Sequence, residues 1–200
     1  MPVTYVEVKR EDCQKYANCE QAAHCMVYSR LPDMKFLETY ELKAAVLMQM
    51  RFDGHVGFPG GLIEDGEEPI HGLIREMDEE INFLPQKDEV NEISHVGSYW
   101  NSSEKILLHF YALEVSQSRI REIERKALEA HDYGGEVMGT FRVPLYTMHD
   151  GVRGFPTFLK NSFIGNACQE LKAGLLHAAI LSKEEIGAAE AVVISSSKLS

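Results

Sequence analysis

At 200 residues with 44% hydrophobic side chains, the chain is long enough to bury one core and too short for a second domain of ordinary size. A formal net charge of -11 and a pI near 5.2 exclude a broad basic surface that tracks duplex nucleic acid, since neutralising phosphates dominates such binding; any RNA contact must be local. The opening MPVTYVEVKREDC sets charges where a signal peptide needs an apolar core, and no apolar run approaches a membrane span, so a soluble intracellular protein without membrane association is expected.

Hydrophobic pattern and turn residues predict strands at 24–29 (HCMVYS) and 44–50 (AAVLMQM), then a helix near 69–81. Further strands are predicted at 92–99, 105–113 (KILLHFYAL) and 135–144. They flank a helix near 116–130, where Ile120, Ile123 and Ala127 recur at turn spacing. A helix near 162–180 repeats Phe163, Ala167, Leu171 and Leu175 every four residues. Several strands are too polar at alternate positions for a fully buried parallel sheet, so a mixed α/β fold with flanking helices is expected. One domain should span 1–182; the segment 183–200, ending SSSKLS, shows no pattern that would bury it and is expected to fray. Cys13, Cys19, Cys25 and Cys168 form no C-x-x-C pair and read as free thiols.

From Gly61 the chain reads GLIEDGEEPIHGLIREMDEEINF. A helix starting near Pro69 places Glu76, Glu79 and Glu80 at i, i+3 and i+4, three carboxylates in one surface cluster. Like charges at that spacing cost roughly 0.2–0.5 kcal/mol per pair. A hard divalent cation, which prefers oxygen ligands, would relieve them. An isolated acidic triple is ordinarily a solvated face; here the arrangement around it is more specific. Gly61, Glu67, Arg75, Glu76, Met77, Glu79, Glu80 and Phe83 follow G-x5-E-x7-R-E-U-x-E-E-x-G-U, with Asn82 in place of the last glycine. Asn is the usual second choice where a helix end turns left-handed.

This pattern resembles the Nudix box, and the chain is similar to the Nudix hydrolases, which implies an α/β/α sandwich. The resemblance implies metal-dependent cleavage of a phosphoanhydride by activated water, with Mg2+, Mn2+ or Co2+ as cofactor. The metal ligands would be Gly60, Glu76, Glu79, Glu80 and, from outside the box, Glu136 in DYGGEVMG. Glu79, Glu80 and Glu136 are the catalytic candidates, with the base open between Glu79 and Glu136. Glu67 and Arg75 would be a structural pair fastening loop to helix.

Over roughly 20–180, the segments AAVLMQMRFDGHVGFPGG, SHVGS, LHFYAL and GGEVMGTFRVPLYTMHDGVRGFPTFLKNSFIG resemble a branch of the family that removes RNA caps and hydrolyses inosine and xanthosine diphosphates. That branch implies a homodimer in nucleus, nucleolus and cytoplasm, with nucleoside diphosphates and capped RNA as substrates. It also implies a substrate pocket of His24, Arg51, Phe58, Gly60 and Gln169, where Gln169 or the adjacent Glu170 contacts the base. Two other functions fit the same fold: a catalytically silent module that binds RNA or protein, and a pyrophosphatase for a dinucleotide or ADP-ribose type substrate. The intact glutamate set favours an enzyme.

Overall fold

The computed structural model describes residues 4–85 and 94–197. In chain order the elements are β1 (Tyr5–Val8), β2 (Glu20–Arg30), β3 (Lys35–Phe36), β4 (Tyr40–Glu41), β5 (Ala44–Arg51), β6 (Val56–Gly57), β7 (Gly60–Leu62), α1 (Pro69–Ile81), β8 (His95–Asn101), β9 (Ile106–Glu114), α2 (Gln117–Lys126), β10 (Val137–Arg142), α3 (Phe155–Phe158), α4 (Ala167–His177) and α5 (Lys183–Ser197). A 3-10 helix over Arg10–Tyr16 joins the first two strands.

The main sheet runs β1-β8-β9-β2-β5-β10, with β6 on β5 and β7 on β2. Strands β2 and β9 pair in parallel from Glu20↔Ile106 to Tyr28↔Glu114, and the other pairs are antiparallel. The sheet is therefore mixed, as the polar alternation required. On its other side β2 changes partner along its length, holding β7 at Ala22–His24 and β5 at Tyr28–Arg30. Two cores lie on the two faces. One gathers Met26, Val46, Met48, Phe110, Leu171 and Leu175 under α3, α4 and α5. The other gathers Cys25, Leu47, Leu73, Met77, Ile81, Ile120 and Ile123 under α1 and α2. This is the sandwich of helices, sheet and helices that the box implied. Among the described residues no helix is long and apolar enough to cross a membrane, and all four cysteines are free.

All the predicted strands and helices exist, α1 with the ends expected for it and the others with shifted ends; residues 92 and 93 of the predicted 92–99 strand lie outside the described residues. The helix predicted from 162 begins at Ala167 because Gly165 (φ 49°) breaks the repeat. The tail is the main correction. Instead of fraying from 183, it forms α5, which buries Ile186 and Ala189 in the α4-side core with Val193 packed against it. Its start is a capping box: Ser182 Oγ accepts from the Glu185 N–H at 3.2 Å, and the Glu185 carboxylate accepts from the Ser182 N–H at 2.9 Å. Ion pairs Lys43–Glu185 and Lys172–Glu190 tie the helix down.

Candidate active site

Helix α1 is built from its termini inward. Pro69 occupies the first turn, and Asn82 closes the helix in the left-handed conformation (φ 48°, ψ 45°), the role expected of an asparagine there. Leu73, Met77 and Ile81 are fully buried, which sets the rotation of the helix against the sheet. That rotation separates the three carboxylates. Glu80 is 3% exposed, whereas the Glu79 side chain is 41% exposed. The expected surface cluster is thus graded, and Glu80 is an inner residue.

Glu80 Oε2 accepts the Gly60 N–H at 2.7 Å. Burial pushes its carboxyl up to about 7, against the pull of that N–H and of the Gln49 amide. Gln49 itself is fully buried, and neither amide atom completes a hydrogen bond; it lies near enough to Glu80 to act on its charge without bonding geometry. Glu76 is likewise raised, first by burial and further by the charges of Glu79 and Glu136, while Arg75 opposes the rise. Exposed Glu136 is therefore within electrostatic reach of Glu76, held at the end of β5 by the bond from the Phe52 N–H to its carbonyl at 2.9 Å.

Arg75 braces the acidic face. Its guanidinium donates to Glu67 (3.3 and 3.4 Å), Glu76 (2.8 Å), Glu79 (3.0 Å) and the Leu62 carbonyl (3.0 Å). The Glu67–Arg75 pair so fastens the loop to the helix. Among the described residues no three acidic, imidazole or thiol groups converge as a preformed metal cage.

Two glycines let β7 serve as a shared wall. Gly60 has φ 131°, and a Cβ there would lie 2.1 Å from the Ala23 carbonyl oxygen; a Cβ on Gly61 would lie 2.6 Å from the Glu76 carboxyl. No side chain fits between this strand and its neighbours. On the other face of the wall lies a cavity of about 260 Å3, lined by His24, Arg51, Phe58, Gly60, Asn166 and Glu170 among others. Four of the five expected pocket residues meet here. Gln169 does not: its side chain is exposed, and Glu170, one residue on, faces the cavity at 1% exposure. The core positions Leu171 and Leu175 set that rotation.

His24 Nδ1 is 3.4 Å from Glu170 Oε1. Burial lowers the imidazole's basicity, but the carboxylates of Glu170 and Glu80 outweigh it and leave it above its usual value. Arg51 is forked onto Asp53 at 3.1 and 3.2 Å, so a phosphate would compete with that carboxylate. Phe58 is buried against Phe110, ring centroids 5.1 Å apart, and serves core and cavity together.

Gln49, Asn166 and Asp132 were not foreseen. Gln49 is the one polar residue in AAVLMQM, a signal open to reading. Asp132 sits under the end of α1, its N–H bonded to the Glu79 carbonyl at 3.0 Å, through a loop whose path no spacing reveals.

A family model described as U8 snoRNA-decapping enzyme-like (Nudt16-like) matches residues 21–181. The chain belongs to this Nudix hydrolase family. The Nudt16-like relatives include the U8 snoRNA-decapping enzyme of Homalodisca vitripennis, 52% identical over 157 residues (78% of this chain, 83% of the relative). The Bos taurus enzyme of the same name is 40% identical over 151 residues (75% and 77%). The human Tudor-interacting repair regulator protein is 35% identical over 161 residues (76% and 71%). A MutT/nudix family protein from Enterococcus faecalis shares the fold with a TM-score of 0.55 at 9% identity, covering 86% of this chain and 70% of that one. As a Nudt16-like Nudix hydrolase, the protein is an enzyme.

Proposed function

We propose that the protein hydrolyses a phosphoanhydride bond in nucleoside diphosphates, inosine diphosphate among them, and at the cap of RNA, using a divalent cation. The observation that carries this reading is the strained set of carboxylates behind β7. Glu80 and Glu76 are both raised above their ordinary values, beside the two unbonded amide atoms of Gln49. The carboxylate oxygens there suit a hard cation, and a positive ion would offset both the repulsion and the burial. Glu76, Glu79, Glu80, Glu136 and the Gly60 carbonyl are the groups to hold it. A cation bound there supplies charge neutralisation at the phosphates and a more acidic water.

The chain's own residues do the rest. Gly60 N–H fixes the Glu80 carboxyl, Arg75 keeps Glu76 and Glu79 aimed at the same edge, and Glu136 closes the acidic face. Arg51, released from Asp53, offers a planar fork to phosphate oxygens. His24 and Phe58 wall the cavity that takes the base, leaving the phosphates near β7. Glu79 or Glu136, the most exposed carboxylates, would accept the proton from water.

The test is a hydrolysis panel of inosine diphosphate, guanosine diphosphate and capped RNA with Mg2+, Mn2+ or chelator. Monophosphate release that chelator abolishes and that falls about a hundredfold or more in Glu80→Gln is the expected result. Near-full activity of Glu80→Gln would overturn the assignment. A second reading, a binding module without turnover, draws on the likeness to the Tudor-interacting repair regulator proteins; no turnover of any substrate, with intact folding, would favour it.

A further inference from the structure

Strand β5 reads AAVLMQMR, and its side chains alternate between the two cores: Ala45 and Leu47 pack under α1, Val46 and Met48 under α4. Gln49 is next in the α1-side row and is fully buried, yet neither of its amide atoms makes a hydrogen bond. Of its cross-strand neighbours, Gly57 has no side chain and Thr140 makes no bond to the amide. A leucine or methionine would fill the same space without two unsatisfied groups, and buried amides are nearly always bonded, so this one calls for a use. The group it can serve is Glu80, which borders the Leu73, Met77 and Ile81 stripe on the helix packed over that row. The Gln49 amide already draws on the Glu80 carboxylate, opposing the rise that burial imposes.

The Gly60 N–H bonds to Glu80 Oε2 at 2.7 Å, and a carboxylate held by one such bond can still pivot about it. A second donor fixes its plane, and carboxylates that hold metals are themselves held by hydrogen bonds. Resting on the proposed function, we infer that Gln49 is a positioning residue: together with the Gly60 N–H, its amide holds the Glu80 carboxylate in the orientation that receives the divalent cation. A neutral amide suits the task. An ammonium or guanidinium at this position would cancel the charge that attracts the cation, and a second carboxylate would repel Glu80. Among the described residues Gln49 is no part of the cavity lining, so it touches no substrate. Its effect should therefore appear in metal affinity and not in nucleotide binding.

Gln49→Met keeps the length of the side chain and removes both amide atoms. In chelator the full-chain variant should melt about 2–6 °C above the parent, because two unsatisfied groups leave the core. Its Mn2+ affinity, read from the electron paramagnetic resonance of the free ion, should nevertheless fall about 10–100-fold. Turnover of inosine diphosphate should drop by a similar factor at limiting Mn2+ and return to within about twofold of the parent at saturating Mn2+, with KM for the nucleotide unchanged. An amide that is only a packing defect would give the first result without the second, so a more stable variant that binds Mn2+ as tightly as the parent would overturn the inference. In the parent, which needs no variant to fold, saturation with Mg2+ should shift the side-chain amide resonances of Gln49; resonances that stay in place while Mg2+ binds would overturn it too. Mn2+ binding that is lost in Glu80→Gln but unaltered in Gln49→Met would refute the role of Gln49 alone. A parent that binds neither ion, with nucleotide present, would refute the metal site of the proposed function and this inference with it.

Discussion

Replacing Glu80 by Gln should make the metal-free protein more stable, and only at neutral and alkaline pH. Burial lifts the carboxyl from an ordinary 4.5 to about 7. The unfolded chain therefore releases this proton first as pH rises, and the folded state loses stability between about 4.5 and 7 and does not regain it above. The difference corresponds to roughly 3 kcal/mol at pH 8. Glutamine has the same shape and no charge. Its carbonyl can accept the Gly60 N–H, and its amino group can donate to the unpartnered Gln49 Oε1 once the Gln49 amide turns over. In chelator at pH 8 the variant should melt roughly 6–12 °C above the parent, at about 2–4 °C per kcal/mol for a chain of this size. At pH 4.5 the two curves should coincide. Millimolar Mn2+ should then raise the parent and leave the variant nearly unmoved, since the ion stabilises only a state that binds it. Thermal unfolding followed by circular dichroism at pH 4.5, 6 and 8, with chelator or Mn2+, decides it. A variant no more stable than the parent at pH 8, or a gap that ignores pH, would refute the reasoning.

Gly60→Ala should cost about 3 kcal/mol or more, because its Cβ would lie 2.1 Å from the Ala23 carbonyl at φ 131°; Gly54→Ala, with open space around it, should cost only about 1 kcal/mol, and denaturant melts compare them. His109 is held well down, to about 4, mainly by burial, and its ring nitrogens sit 3.0 Å from Ser98 Oγ and 2.9 Å from Gln21 Oε1. Its folded value lies below its unfolded one, so stability should fall as pH drops from 6.5 towards 4, and its ring proton resonance should titrate below pH 5; a midpoint near 6.5 would contradict the burial. Arg75→Lys should lower activity at least about tenfold and cost about 1–3 kcal/mol, since an ammonium cannot fork to Glu67, Glu76 and Glu79 together; steady-state rates and melts read both effects.

The sequence by itself determined the elements whose signals are local. Pro69, the Leu73, Met77 and Ile81 stripe, and Asn82 set where α1 begins, which side it buries and how it ends, so the box could be recognised and its glutamates named. The same local rules apply to α5, where Ser182 and Glu185 form a capping box and Ile186, Ala189 and Val193 a helical stripe. What only the tertiary structure decided is which of neighbouring polar residues face inward. Glu79 and Glu80 differ by one position, as do Gln169 and Glu170, and one position turns a helix by about 100°. Packing of Met77 and Ile81 on one face of the sheet, and of Leu171 and Leu175 on the other, chooses the member of each pair that is buried. Neither Asn166 nor Gln49 announces a missing hydrogen-bond partner in the sequence, because whether an amide is satisfied depends on atoms from distant elements closing around it.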